Sequence, residues 1–346
     1  MAPPERLRIA TYNVEWFNAL FDDDGRLLAD AAPSARHQIS RAVQAGALGI
    51  VFTAMDADAV MVIEAPDTGS KRSSARALES FARAYGLRTS RAIMGFMSDT
   101  EQEITLLYDP ARLTPRHDPV GRKGSRDAPR FDGTFRYDLN ADAAPDLIRF
   151  SKPPLELAVE TAGGRALRLI GVHAKSKAPH GARTPEEITR LSIENRRKQL
   201  AECIWLRARV EQHLARGDDL LVMGDFNDGP GLDEFEKLFG HSGVEIVLGV
   251  DVPPEARMYD PHAAMARAGR MNLTPTTARF WLNPQKRYFE ALLDFIMVSP
   301  RLAATHPAWR IWHPWNDPAC LNTPELHEAL LQASDHFPVT IDLTLP

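Results

Sequence analysis

A run of four apolar residues, Leu220 to Met223, passes through Gly224 straight into Asp225 and Asn227, a carboxylate and an amide two positions apart. The pattern recurs. Asn13 and Glu15 follow the apolar stretch that begins at Leu7, Glu64 closes residues 59–63, and His173 closes residues 166–172. Asp294 enters the stretch 294–298, and Asp335-His336 stands immediately before the last one. Any one of these is ordinarily a turn residue, a helix cap or a satisfied structural histidine. The information lies in their recurrence, because polar groups of complementary type close nearly every apolar stretch. Carboxylates with amide oxygens make a hard, oxygen-rich donor set, which suits Mg2+ or Mn2+. Zinc finds no support, since neither an HExxH pair nor a Cys/His spacing occurs. A GxSxG elbow, a GxxxxGK[ST] loop and a GxGxxG fingerprint are equally absent from the sequence.

Positioning such groups requires strands with definite faces. In an extended chain residues i and i+2 point to one side. The spacing therefore predicts that Asn13 with Glu15, and Asp225 with Asn227, act as pairs, whereas adjacent Asp335 and His336 diverge. Strands are read at 7–13, 59–64, 104–108, 219–224, 292–298 and 337–344, and a hairpin at 155–160 and 166–173 turning through Gly163-Gly164. Helices are read at roughly 34–55, at 73–85 and, most strongly, at 185–216. There Thr184 caps, Glu187 completes a capping box and Gly217 follows as a stop. Residues 114–152 and 250–290 lack clear periodicity and read as loop insertions. Gly224 reads as a small residue that lets substrate or a neighbouring loop approach the strand end.

Strands interleaved with helices, plus the hairpin, imply an α/β fold with a mixed sheet in a single domain. The 346 residues, 44% hydrophobic and 25% charged, are average for a globular chain. A net charge of −5 argues against a wholly basic DNA-clamping surface and leaves room for a local basic groove. Cys203 and Cys320 lie far apart, in a pattern that suggests neither a disulfide framework nor a thiolate metal site. With no signal-type apolar segment and no run of roughly 18 apolar residues, the expectation is a soluble, cytoplasmic protein without a membrane span.

The segments YNVEWF, VIEAP, GVHAKS, GDFND, LLDFIMVS and SDHFPV, in this order from Asn13 to His336, resemble the endonuclease/exonuclease/phosphatase (DNase I-like) superfamily of metal-dependent phosphoesterases. The GDFN and SDHxP elements carry most of that specificity. The resemblance implies a four-layer α/β sandwich, two mixed β-sheets face to face with helices outside, and an active site at one edge. It implies Glu64 as principal ligand of Mg2+ or Mn2+, with Asn13, Glu15 and Asp335 beside it. Asp225 would orient or deprotonate the attacking water, with Asn227 positioning phosphate or water. His336 would contact the scissile phosphate, oriented by Asp294, and His173 would be a phosphate contact or general acid. Lys152 stands where many relatives carry Arg, so it is a candidate substrate contact, as is Lys175, two positions after His173.

The implied chemistry is in-line hydrolysis of a phosphodiester, in which a cation neutralises the anionic ester. The segment 116–136 carries Arg122, Lys123 and Arg126 among interleaved Phe131, Phe135 and Tyr137, a composition able to hold phosphates and stack bases. The basic residues of 183–216 read instead as a solvated helix face paired with glutamates at i,i+4. The aromatic run 309–316 reads as local packing, and Asp22-Asp23-Asp24-Gly25 as a solvated turn. The expected activity is that of a nuclease acting on DNA or RNA. The alternatives are a phosphoesterase for a small-molecule, lipid-headgroup or protein-linked DNA-end substrate, and a non-catalytic binding module.

Overall fold

The structure is a computed structural model that describes residues 4–125, 127–138, 146–179, 181–231, 240–269, 275–282 and 286–345. Two sheets dominate it. The first has the order β14-β15-β1-β2-β4-β3, built from β1 (Glu5–Asn13), β2 (Ala59–Ala65), β3 (Arg91–Met94), β4 (Glu103–Tyr108), β14 (Ala308–Ile311) and β15 (Val339–Leu345). The second has the order β13-β10-β9-β8-β5, built from β5 (Leu113–His117), β8 (Leu155–Thr161), β9 (Ala166–His173), β10 (Leu220–Asp225) and β13 (Asp294–Val298). Both are mixed. β1 pairs parallel with β2, β9 pairs parallel with β10, and the remaining pairings of these two sheets are antiparallel.

The sheets pack face to face because each strand alternates between two apolar cores. Leu7 and Ile9, Met61 and Ile63, Leu167 and Leu169, Leu221 and Met223, and Ile296 and Val298 meet between the sheets. The intervening Ala10, Tyr12, Val60 and Val62 face α1 (Arg41–Met55), α2 (Ser74–Ala84) and the helix Pro324–Ala333. On the other side Ile170, Val172, Leu220 and Val222 face α3 (Pro185–Ala215) through Trp205, Leu206 and Val210. The layers are helix, sheet, sheet, helix, the four-layer sandwich. The capping box of α3, with Thr184 and Glu187 exchanging hydrogen bonds, forms as its sequence predicts.

The differences from the sequence reading have identifiable causes. The first helix begins at Arg41 rather than near Ser34, because Ser40 caps it by accepting from the amide of Val43. Residues 34–40 are loop, with Gln38 at φ 61°. The stretch 114–152 is not all insertion. Leu113–His117 is the edge strand of the second sheet, where Pro115 is tolerated, and β6 (Phe135–Tyr137) pairs with β7 (Asp146–Ile148). Within 250–290, β11 (Ala278–Leu282) and β12 (Arg287–Ala291) form a hairpin. Phe131 and Phe135, read as base-stacking candidates, are buried and pack on Trp205 at 5.7 and 5.4 Å between ring centroids. They are core.

Gly224 also has a different neighbour from the one expected. It sits at φ 140°, and a Cβ there would lie 1.9 Å from the carbonyl oxygen of Val172 on the adjacent strand β9. The close approach is to the sheet's own backbone. Gly224→Ala is therefore expected to destabilise the fold by about 3 kcal/mol or more, since both the backbone angle and the clash oppose it. Urea unfolding checks this; a loss of unfolding free energy below about 0.5 kcal/mol would show that β9 and β10 can separate at low cost.

Candidate active site

The alternation that builds the inter-sheet core continues past the last apolar residue of each strand. Asn13 follows Leu7 and Ile9 on one face of β1, His173 follows Leu167 and Leu169 on β9, and Asp225 follows Leu221 and Met223 on β10. Asp294 shares the face of Ile296 and Val298 on β13. All four therefore point into the gap between the sheets at one end, and all four are buried. The two parallel pairings bring their C-terminal ends to that end together, with Asp225 directly opposite His173 and Asp294 in register.

Asp225 is the junction. Its Oδ2 accepts from Asn13 Nδ2 across the sheets at 3.0 Å and from Asn227 Nδ2 at 3.2 Å, and its Oδ1 accepts the Asn227 amide at 2.7 Å. Burial pushes this carboxyl up to about 7, against the opposing charge of His336. Asp225 and Asn227 do act as a pair, but through a turn with Asn227 at φ 50° rather than through the pleat, because the strand ends at Asp225. Asn13 and Glu15 do not share a partner, since β1 ends at Asn13 and Trp16 turns into the left-handed region at φ 56°.

His336 and Asp335 diverge, each to its own partner. His336 Nδ1 lies 2.7 Å from Asp294 Oδ2, and Ser334 holds the turn by donating to the carbonyl of Asn13 while accepting the His336 amide. Burial works against a charged ring here, but the carboxylates of Asp294, Asp225 and Asp335 prevail and hold the imidazole well above its ordinary value. Thr277 fixes Asp294 in turn, its Oγ accepting the amides of Leu293 and Asp294 at 3.0 Å each. His173 has the opposite character. Burial, then the charges of Lys152 and His336, push it well below its ordinary value, so it is a neutral ring. Lys152 Nζ stands 3.0 Å from His173 Nε2 and 3.2 Å from the side-chain oxygen of Gln102. Burial pushes the Lys152 ammonium below its ordinary value, with Glu64 and Asp225 opposing, and His173 Nδ1 is buried without a hydrogen-bond partner.

Glu64, the last residue but one of β2, sits at φ 59° where the pairing with β4 shifts register, and its Oε2 accepts the amide of Trp16 at 3.0 Å. Glu15 is committed elsewhere. Its Oε2 pairs with Arg36 and accepts the Asp335 amide at 3.3 Å. Burial and the neighbouring Asp335 push the Glu15 carboxyl up to about 7, with Arg36 opposing. The donors fit a hard divalent cation. Asn13 Oδ1 and Asp335 Oδ1 are buried without a hydrogen-bond partner, and Asp335 feels the charge of Glu64. Among the described residues no three His, Cys, Asp or Glu side chains group closely enough to hold a metal on their own. A small donor set is what Mg2+ accepts, since it keeps several waters and takes substrate phosphate as a ligand.

Of the proposed substrate contacts, Lys152 lies in the centre. Lys175 is half-buried at its edge, its backbone amide donating to Glu202 at 2.8 Å. Arg122 is exposed, Lys123 pairs with Asp132 at 2.9 Å, and Arg126 lies outside the described residues. The basic helix α3 is less solvated than its composition suggests. Arg190 pairs with Glu194 at i,i+4 on the surface, yet Arg209 is buried against Glu156. A cleft of about 690 Å³ opens beside Glu15 and Asp335 and runs past Arg36 and Arg279 to Trp281 and Tyr288 on the β11–β12 hairpin. Sequence reasoning missed Arg36, Thr277 and Gln102. Ser334 was visible only as the first letter of SDH.

Glu202 supplies a test of the buried electrostatics. It is fully buried on α3, which pushes its carboxyl up to about 7 from 4.5, while Lys198 and the Lys175 amide oppose. A raised acid favours the folded state when protonated, so its contribution is fully present below about pH 4.5 and is lost as pH rises through about 7. Glu202→Gln is expected to remove that loss, up to about 3 kcal/mol. The measurement is urea unfolding of both proteins at pH 5 and pH 8. Equal pH dependence in the two would mean that the carboxylate is not burdened by burial.

A sequence profile of the Endonuclease/Exonuclease/phosphatase family matches residues 10–336. The chain belongs to this family. Its members are hydrolases acting on phosphoester bonds, and they generally use divalent metals. The fold agrees. Truncated TDP2 of Caenorhabditis elegans is 16% identical over 98% of this chain and 98% of that one, with a TM-score of 0.51. An endonuclease/exonuclease/phosphatase family protein from Bacteroides thetaiotaomicron is 14% identical over 99% of each chain, with a TM-score of 0.49. The human Nocturnin catalytic domain is 14% identical over 100% of this chain and 96% of that one, with a TM-score of 0.47. No curated protein matches by sequence. No helix among the described residues is long and apolar enough to cross a membrane.

Proposed function

We propose that this member of the endonuclease/exonuclease/phosphatase family is a divalent-metal-dependent phosphodiesterase that cleaves nucleic acid by in-line attack of water. The observation that carries the reading is the junction at Asp225. One carboxylate is held by Asn13 and Asn227, faces a histidine pushed toward its charged form, and has the Lys152–His173 pair on its other side. These are the groups a phosphate needs: an acceptor for the proton of water, and cations for the equatorial oxygens.

Asp225 orients the attacking water and takes its proton. His336, charged and fixed by Asp294, donates from Nε2 to a non-bridging oxygen of the scissile phosphate. Lys152 meets a second oxygen, and its contact with His173 fixes where the ammonium stands. Asn227 holds Asp225 in the accepting orientation. Asn13, Glu64 and Asp335 would hold Mg2+ or Mn2+, which when bound neutralises charge on the phosphate and on the leaving oxygen.

The cleft beside the site favours a nucleic acid strand over a small ester. Arg279 lies over the ring of Tyr288 at 3.4 Å from its centroid, and Trp281 and Tyr288 are each half-exposed, 50% and 52%. Such a surface can stack bases and contact the backbone. Purified protein given single-stranded DNA, duplex DNA, RNA and a generic phosphodiester, with Mg2+, Mn2+ or EDTA, tests the proposal. Cleavage of a nucleic acid that EDTA abolishes is expected. Hydrolysis of the generic ester alone would assign a small-molecule phosphoesterase instead. The double variant Trp281→Ala, Tyr288→Ala should raise KM for an oligonucleotide about fivefold or more, with kcat little changed. An unaltered KM would remove the cleft from the substrate path.

A further inference from the structure

The Glu15–Asp335 pair lies at the rim of the site, and a cation reaches it from a segment outside both sheets. Arg36 belongs to the loop 34–40 that precedes α1. One terminal nitrogen of its guanidinium pairs with Glu15 Oε2, and the other donates to the carbonyl of Leu331 at 3.2 Å. The same Glu15 oxygen accepts the Asp335 amide. Gln44, on the first turn of α1, fastens the backbone behind it by donating to the carbonyls of Glu15 and Ala333. The side chains of Arg36 and Glu15 are only 14% and 24% exposed.

We propose that Arg36 is a built-in counter-cation for Glu15, which withdraws that carboxylate from the metal site, so that the centre takes one divalent cation rather than two. The inference rests on the metal-dependent reading above. A second hard cation needs carboxylate oxygens with uncompensated charge. Here the guanidinium, which does not lose its proton in a protein, contacts Glu15 Oε2 and compensates that carboxylate, so Glu15 has no charge to spare for a second ion. Its anchor on Leu331 keeps the charge in place. The single cation then belongs to Asn13, Glu64 and Asp335, and Glu15 serves as the link between Arg36 and the Asp335 backbone.

Counting bound Mn2+ by electron paramagnetic resonance of the free ion tests this on the full chain, independently of turnover. One Mn2+ per chain is expected in the wild-type protein. Glu64→Gln should weaken binding about 100-fold, and Glu15→Gln by less than about threefold. Arg36→Met, which keeps the stem and removes the charge, should admit a second ion, while Arg36→Lys should still bind one. Two ions in the wild-type protein, a Glu15→Gln loss as large as that of Glu64→Gln, or a single ion in Arg36→Met would each overturn the proposal. So would a wild-type protein that binds none. One ion bound with no nucleic acid cleaved would overturn the nuclease reading alone.

Discussion

Asp225→Asn is expected to lower kcat on the oligonucleotide substrate by about 10²–10⁴-fold, the range over which a positioned general base acts. The variant removes the carboxylate proposed to take the proton of the attacking water, yet it alters volume little. Its effect on hydrogen bonding is instructive. The carboxylate accepts from Asn13 and from both nitrogens of Asn227. An amide has one oxygen, so its NH2 must face either the Asn13 amide or the Asn227 backbone, donor against donor. Part of the loss is therefore in the placement of Asn227 rather than in proton transfer. Asn227→Ala separates the two, because it keeps the base and removes the side-chain contacts to Asp225 and to the carbonyl of Ala174. Single-turnover rates at saturating substrate are the measurement. If Asp225→Asn stays within tenfold of the wild-type rate while its far-ultraviolet circular dichroism is unchanged, another group handles the proton and the assignment fails.

Why the sequence disclosed this centre, and only this much of it, follows from how strands carry information. Period-two alternation is local, so the inward face of Leu221 and Met223 extends to Asp225 without knowledge of any other strand. The same holds for Ile9 to Asn13, Leu169 to His173, and Ile296 back to Asp294. Their convergence depends on two parallel pairings, β1 with β2 and β9 with β10, which local pattern does not encode. The family resemblance supplied that missing step. Beyond the last strand residue the alternation stops meaning anything. That is why Glu15 parts from Asn13 to meet Arg36, and why Asn227 reaches Asp225 through a left-handed turn. Arg36 was hidden inside a stretch with helical composition, and its role comes from contacts with Glu15 and with Leu331, which is 295 positions away. The aromatic residues 131 and 135 misled in the opposite direction. Interleaved with arginines they read as a binding surface, whereas Trp205 of α3 buries them.

Asp294→Asn is expected to cost a comparable factor, on the order of 10²–10⁴, through a residue that need not touch substrate. Asp294 Oδ2 lies 2.7 Å from His336 Nδ1, fixes the ring's orientation and helps hold it in the charged form against burial. With an amide there, burial prevails and the ring's titration moves down. The sign follows directly. A histidine that must be protonated to donate to phosphate works below its pKa, so the alkaline limb of the rate profile should shift to lower pH in the variant. The His336 proton resonances, followed by NMR across the pH range, should show the same downward movement. A merely structural Asp294 would lower the rate without moving either curve. His336→Gln provides the decisive comparison, because two residues acting as one unit lose their function once. The double variant Asp294→Asn, His336→Gln should be no slower than His336→Gln alone, within about threefold. Multiplicative losses in that cycle would mean that Asp294 acts on the reaction by some route other than His336, and the orienting role would have to be given up.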